Sequence, residues 1–211
     1  MIDKKDRNNV RLFSLWSKVY DHGPVKWWLT GIQKKVCRII EENSKKNNVK
    51  LLDIGCGTGD LLLMLANKKR YQKLCGADLT GAMIKIAEKK LKQYKNISLA
   101  KAPAVNLPFK NEMFDIAITT EAFHHFPEPE KSLEEIRRVL KKKGGLVLAD
   151  IYFGRIASAI FCMLEPGCVR VYSKKEIRKL LEKAGFKVIR QQNIGFFATC
   201  SIAEKQQEGY I

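Results

Sequence analysis

An open α/β fold, one mostly parallel sheet with helices on both faces, is what this sequence predicts. From Val49 onward short apolar runs alternate with stretches of helical periodicity, the pattern of linked strand–helix–strand units. The first of these runs also ends in three closely spaced glycines that lead straight into a helix. Such a connection brings a backbone loop at the edge of the sheet against a ligand.

The elements follow in chain order. Residues 1–48 precede the first strand and are expected to form one or two helices, an N-terminal helical lid on a main domain over 49–211. Strands are expected at Val49–Ile54, Lys73–Asp78, Ile97–Lys101, Phe114–Thr120, Gly145–Ile151, Lys187–Gln191 and Gly195–Ala203. A helix begins near Asp60. In Thr80–Gln93, the apolar residues Met83, Ile84, Ala87 and Leu91 fall near a helical period and give one core-facing stripe. Pro127-Glu128-Pro129 opens a helix through Leu140, because proline is tolerated in a first turn and acidic residues complement a helix N-terminus. Ser173, with Glu176 three places on, reads as a capping box for a helix that ends at Gly185. Residues 153–172 are an insertion between the fifth strand and this helix, expected to cap the domain.

Composition narrows the classes. A chain of 211 residues, 45% hydrophobic and 29% charged, can bury one substantial core. Its longest apolar run, Ile156 to Leu164, is about half of the roughly 18 residues that a membrane span needs. The charged start, Met1-Ile2-Asp3-Lys4-Lys5-Asp6-Arg7, is unlike a secretory signal, and a cytoplasmic protein is expected. Six scattered cysteines (Cys37, Cys56, Cys75, Cys162, Cys168, Cys200) form no C-x-x-C pair and read as reduced, mostly buried thiols. The net charge of +17 comes mainly from lysines spread over most helices, so a solvated surface is preferred to a nucleic-acid stripe.

The chemistry gathers around Leu51-Leu52-Asp53-Ile54-Gly55-Cys56-Gly57-Thr58-Gly59. A dinucleotide fingerprint needs G-x-G-x-x-G, but here the third glycine comes one place early and position 60 is Asp. Asp53 and Asp60 would flank a pyrophosphate with like charge. A cationic ligand fits better, and S-adenosylmethionine carries both an ammonium and a sulfonium. Asp78 ends the second strand about 20 residues on, where a carboxylate can accept from both hydroxyls of a ribose. Its competing use is as a helix cap, which Thr80 could equally supply.

With these residues the chain resembles a class I methyltransferase, similar to the broad group that includes ubiquinone/menaquinone C-methyltransferases. The likeness extends through Gly76-Ala77-Asp78-Leu79-Thr80-Gly81-Ala82-Met83, Asn106-Leu107-Pro108-Phe109, Phe114-Asp115, His124-His125-Phe126, Arg138-Val139-Leu140 and Gly144-Gly145, and the segment from Ser173 to Phe186. It implies a Rossmann-like sheet of seven strands with the last antiparallel, and S-adenosylmethionine lying across the carboxyl ends of the first, second and fourth strands. It also implies that Asp53, Gly55, Cys56, Gly57 and Thr58 surround the methionine part, with Gly59 completing the loop. Asp78 would hold the ribose, and Leu79 and Met83 would flank the adenine. Thr120 would offer backbone to the ammonium. Where the family usually has an acidic residue for the adenine amine, this chain has Ala102-Pro103-Ala104, which leaves the N–H of Ala104 for an adenine ring nitrogen. One such lost bond costs about 1 kcal/mol.

Three sets of residues are candidates for the acceptor side. Glu121, His124 and His125 follow the fourth strand, and a histidine there suits proton removal near neutrality. Glu121-x-x-His124-His125 partly resembles the Glu-x-x-Glu-His of metal-assisted O-methyltransferases, but the second carboxylate is missing and no metal is expected. The N-terminal segment holds Trp16, Trp27 and Trp28, and its Tyr20-Asp21 resembles a pair that often opens this family's domain, so Tyr20 is expected near the methionine end. The apolar stretch from Ile156 to Leu164 must be buried or must cover something apolar. Together they predict methyl transfer to a small lipophilic or aromatic acceptor. The alternatives are a tRNA-directed methyltransferase that docks through lysines, and a cofactor-binding module without catalysis. The chain lacks the Pro-Pro or Pro-Cys runs of nucleobase amino and cytosine C5 enzymes after its fourth strand, where it has Thr119-Thr120-Glu121-Ala122-Phe123.

Overall fold

Strands that are buried on both faces read as near-continuous apolar runs, and the central ones here do. In β1 (Val49–Ile54) all residues but Lys50 are buried, and in β4 (Phe114–Thr120) all but Thr120. The computed structural model describes residues 23–43, 46–165 and 167–207, with side chains from Lys26 onward. The described helices are α1 (Gly23–Asn43), α2 (Asp60–Ala66), α3 (Gly81–Leu91), α4 (Pro129–Val139), α5 (Arg155–Leu164) and α6 (Lys174–Lys183). The remaining strands are β2 (Tyr71–Asp78), β3 (Ile97–Lys101), β5 (Leu140–Ile151), β6 (Phe186–Asn193) and β7 (Ala198–Lys205).

The seven strands form one sheet in the order β3-β2-β1-β4-β5-β7-β6. β1 pairs in parallel with β2 and β4, β2 with β3, and β4 with β5, while β7 runs antiparallel to both β5 and β6. This is the Rossmann-like arrangement expected, with its antiparallel last strand. The strand order reverses between β1 and β4, which opens a crevice beyond their carboxyl ends.

Because successive strand residues point to opposite faces, Leu51 and Leu52 feed two different core layers. On one face the strands pack against α1, α2 and α3 through residues such as Ile32, Val36, Leu61, Leu65 and Ile84. On the other they meet Phe123 and the buried stripes of α4 and α6, Leu133 and Ile136 with Ile177 and Leu181. The described part of the N-terminal segment, α1, thus contributes directly to the core.

Several boundaries differ from the sequence reading for physical reasons. β5 begins at Leu140, not Gly145, because Leu140 pairs with Phe114 before a register shift. Lys141-Lys142-Lys143 hide this start, since they lie at the end of the strand where it leaves the core. β7 begins at Ala198, because Gly195, Phe196 and Phe197 form an exposed turn. The expectation of six free thiols is corrected: Cys37, Cys56, Cys75 and Cys200 are buried and free, but Cys162 and Cys168 form a disulfide. A spacing of six residues carries no motif. Only the chain's reversal after α5 brings the two Cα atoms to 5.1 Å. No described helix is long and apolar enough to cross a membrane.

Candidate active site

The loop between β1 and α2 turns through three glycines with positive φ, 75° at Gly55, 51° at Gly57 and 81° at Gly59. Each is needed differently. A Cβ on Gly55 would lie 2.4 Å from the Cβ of Ala122, and one on Gly59 would lie 2.8 Å from Leu91 Cδ1, so these two serve close packing. A Cβ on Gly57 would meet nothing within 4 Å, which leaves that side of the loop open to a ligand.

The loop's N–H groups are largely spent within the fold. Gly55 and Cys56 donate to the Ala77 carbonyl, Gly59 to the Cys56 carbonyl, and Gly57 to the Asp78 carboxylate at 2.9 Å. A pyrophosphate, which needs such donors, would find few of them here. Asp60, however, does not place an unbalanced negative charge beside the loop. Asp60 is paired with Lys26 and, at 2.7 Å, with Lys90, so its charge is compensated. Among the described residues, Asp53 and Asp78 have no basic partner. Burial, with the neighbouring Asp78 charge adding to it, pushes the Asp53 carboxyl up to about 7. Burial also raises Asp78, against the bonds from the Thr80 and Gly57 N–H groups. Asp78 therefore ties the loop to its own turn and faces the cavity as well.

Two spaces adjoin this loop. The larger, about 510 Å³, is bounded by Gly55, Gly57, Asp78, Leu79 and Met83 on one side and by Pro103 and Ala104 beyond β3. The smaller, about 20 Å³, is lined by Asp53, Cys56, Thr58 and Thr120 together with Gln33 of α1. That volume holds one group the size of a water or an ammonium. Gln33 Oε1 and Thr120 Oγ1 are buried there with no hydrogen-bond partner among the described residues. Orphaned acceptors beside a buried carboxylate call for a donor cation.

The large cavity continues to the end of β4. Glu121 takes a positive φ of 53°, unusual for a residue with a side chain, and its carboxyl faces this cavity. Burial first, then the charge of Asp150, push that carboxyl well above its ordinary range. The following short 3₁₀ turn, Phe123–His125, sets His124 and His125 side by side. His124 Nδ1 lies 2.6 Å from Asp150 Oδ1, and His124 Nε2 lies 3.3 Å from Glu165 Oε2. Burial opposes a charge on His124, but Asp150 and Glu165 outweigh it and hold the ring's pKa up to about 10. Burial and the His124 charge push His125 down to about 4. The far wall is apolar, made by Trp28 of α1, by Phe153, and by Phe161 and Leu164 of α5. Phe161 and the end of α5 line the cavity, while Ile156, Ile160, Met163 and most of Leu164 remain exposed.

The structure thus brings Gly55, Gly57, Asp78, Leu79, Met83, Ala104, His124 and His125 to one cavity, and Asp53, Cys56, Thr58 and Thr120 to the small space beside it. Gly59 lies under the loop, packed on α3. Tyr20, with Trp16, lies outside the described residues. Sequence reasoning missed Gln33, Asp150 and Glu165. Asp150 had a signal, as an acid near the carboxyl end of a strand, whereas Gln33 and Glu165 depend on how distant elements pack.

Residues 45–189 match the family model described as a methyltransferase domain. The chain is similar to a demethylmenaquinone methyltransferase of Thermotoga maritima, 37% identical over 156 residues. That match takes in 70% of this chain and spans 63% of the relative's length. It is also similar to a ubiquinone/menaquinone biosynthesis C-methyltransferase of Campylobacter jejuni, 28% identical, with 92% of this chain and 95% of that protein covered. A solved S-adenosylmethionine-dependent methyltransferase from Aquifex aeolicus superposes with a TM-score of 0.68 at 27% identity, covering 79% of this chain and 87% of that one.

Proposed function

This chain belongs to the methyltransferase-domain family and is an S-adenosylmethionine-dependent methyltransferase, and we propose that its acceptor is a small lipophilic or aromatic molecule held between Asp78 and the histidine pair. The observation that carries the reading is the shape of the site: a small polar space at the glycine loop lies beside a large apolar-walled cavity that His124 and His125 also line.

S-adenosylmethionine supplies a methyl carbon made electrophilic by its sulfonium. The chain's own residues then have to hold, orient and exclude water. In this reading Asp53, Gln33 and Thr120 accept from the ammonium in the small space. Asp78 accepts from the ribose hydroxyls while Leu79 and Met83 pack on the adenine, whose ring nitrogen takes the N–H of Ala104. Alignment of two reactants in a dry cavity supplies much of the rate of such a transfer. Trp28, Phe153 and Phe161 give the cavity an apolar wall, and the similarity to a demethylmenaquinone methyltransferase and a ubiquinone/menaquinone biosynthesis C-methyltransferase supports a lipophilic acceptor. His124 and His125 face the acceptor's polar atom. Cys56 and Thr58 complete the methionine side, and α1 and α5 flank the cavity through Trp28, Phe161 and Leu164.

Two measurements test this. S-adenosylmethionine and S-adenosylhomocysteine are expected to raise the melting temperature while NAD does not; stabilisation by NAD alone would overturn the cofactor side. Labelled cofactor is then offered with quinols, phenols and bulk tRNA at about 50 and 200 mM salt. Label in a quinol or phenol, little affected by salt, is the expected result. Labelling of tRNA alone, falling steeply with salt as released counterions require, would move the acceptor to the lysine surface.

A further inference from the structure

We propose that His124, His125 and Glu165 form a binding site for one divalent first-row metal ion, with its open coordination position facing the acceptor. The sequence reading placed no metal here, because Glu121-x-x-His124-His125 lacked a second carboxylate. The fold supplies it from the other side of the cavity: Glu165, just past the end of α5, brings its carboxylate to the two rings. One ligand atom from each of the three residues lies within 4.8 Å of the other two, so small side-chain movements would bring all three to a common ion.

The orientation of each ring supports coordination. A carbonyl can only accept, so His125 Nδ1, 2.9 Å from the Gly167 carbonyl, carries the proton and its Nε2 presents a lone pair toward Glu165. His124 Nδ1 is engaged by Asp150, which also accepts from the backbone N–H groups of His124 and Ile151 and is thereby fixed. A carboxylate behind the far nitrogen of a histidine is the usual support of a metal-bound ring. In front, His124 Nε2 and Glu165 Oε2 are both buried and lie 3.3 Å apart with no hydrogen bond formed between them, and an ion would take the place of the proton that Asp150 and Glu165 hold on the ring. Paired groups of this kind, close but not bonded, leave room for an ion between them.

Two imidazoles and a carboxylate suit zinc and its neighbours rather than magnesium or calcium. Three protein ligands leave one position for a hydroxyl or thiol of the acceptor. The loop that carries Glu165 and Gly167 is closed by the Cys162–Cys168 disulfide, which holds both to the site.

Metal binding needs only these residues; its part in turnover rests on the methyl-transfer reading. The chelator-stripped chain is titrated with zinc against a chromophoric competitor. One zinc per chain is expected, weakened at least about tenfold by Glu165→Gln and by His125→Ala, and on the order of 10–100-fold by Asp150→Asn. Cobalt(II) should give visible bands that are lost in Glu165→Gln, while retained stabilisation by S-adenosylmethionine shows that the variant is folded. The absence of stoichiometric zinc, or zinc held equally by wild type, Glu165→Gln and His125→Ala, overturns the proposal. A chain that binds zinc but is not stabilised by S-adenosylmethionine overturns the cofactor reading and leaves the metal site intact.

Discussion

A single carboxyl, that of Asp53, links the sequence motif to a measurable property. Burial and the nearby Asp78 lift its pKa to about 7, so near neutrality it is only partly charged. Binding an ammonium beside it favours the ionised form and lowers that value. Affinity for S-adenosylmethionine is therefore expected to rise as pH increases from about 6 to about 7.5, where the free carboxyl loses its proton and before an α-amino group near 7.7–8.0 does so. Calorimetry across that window checks it. Asp53→Asn should weaken binding and flatten the profile that remains, whereas an unchanged slope would assign the dependence to Asp78. The residues of this cradle were legible in sequence because the loop is local: strand, glycines and helix are contiguous. Gln33 was not, since it comes from α1 and meets the loop only through packing.

Among the elements, α6 shows how a local signal can secure a distant wall. Ser173 Oγ accepts the Glu176 N–H at 3.3 Å and the Ser173 N–H donates to Glu176 Oε2 at 2.9 Å, the reciprocal capping box that the sequence predicted. The cap fixes the point at which the insertion ends, where Tyr172 packs at 5.5 Å from Phe123 of the 3₁₀ turn before the histidines. Ser173→Ala is expected to cost about 1 kcal/mol and to lower the melting temperature by about 2–4 °C. A melt by circular dichroism reads it, and no change would show that Glu176 alone holds the N-terminus. α5 is the opposite case. Its apolar sequence demanded either burial or something to cover, and periodicity alone could not choose. The fold gives one edge to the cavity and the rest to solvent.

For the molecule as a whole, Asp115 joins three parts of the chain at the edge of the sheet opposite the site. Its carboxylate meets Lys46 at 2.7 Å, Lys141 of β5 at 2.9 Å and the Lys50 N–H of β1 at 3.0 Å. Burial alone would raise its pKa, but these partners together outweigh burial and hold it down to about 2. A depressed carboxylate stabilises the fold fully above its unfolded value of about 3.9, and that contribution is lost as pH falls from about 4 to about 2. The melting temperature should drop across that range more steeply in the wild type than in Asp115→Asn. Parallel curves would remove Asp115 from the account of acid stability.

By itself the sequence determined the alternation of strands and helices, the glycine loop and the strand-end acids, because each is written in neighbouring residues through period, turn chemistry and capping. Tertiary structure alone decided what those residues face. It neutralised Asp60 with two lysines, spent the loop's N–H groups internally, and paired Cys162 with Cys168. It also carried Glu165 across 40 residues to the histidine pair. Charge compensation and coordination depend on separation in space, and the distance between residues far apart along a chain is set by packing, which no local pattern records.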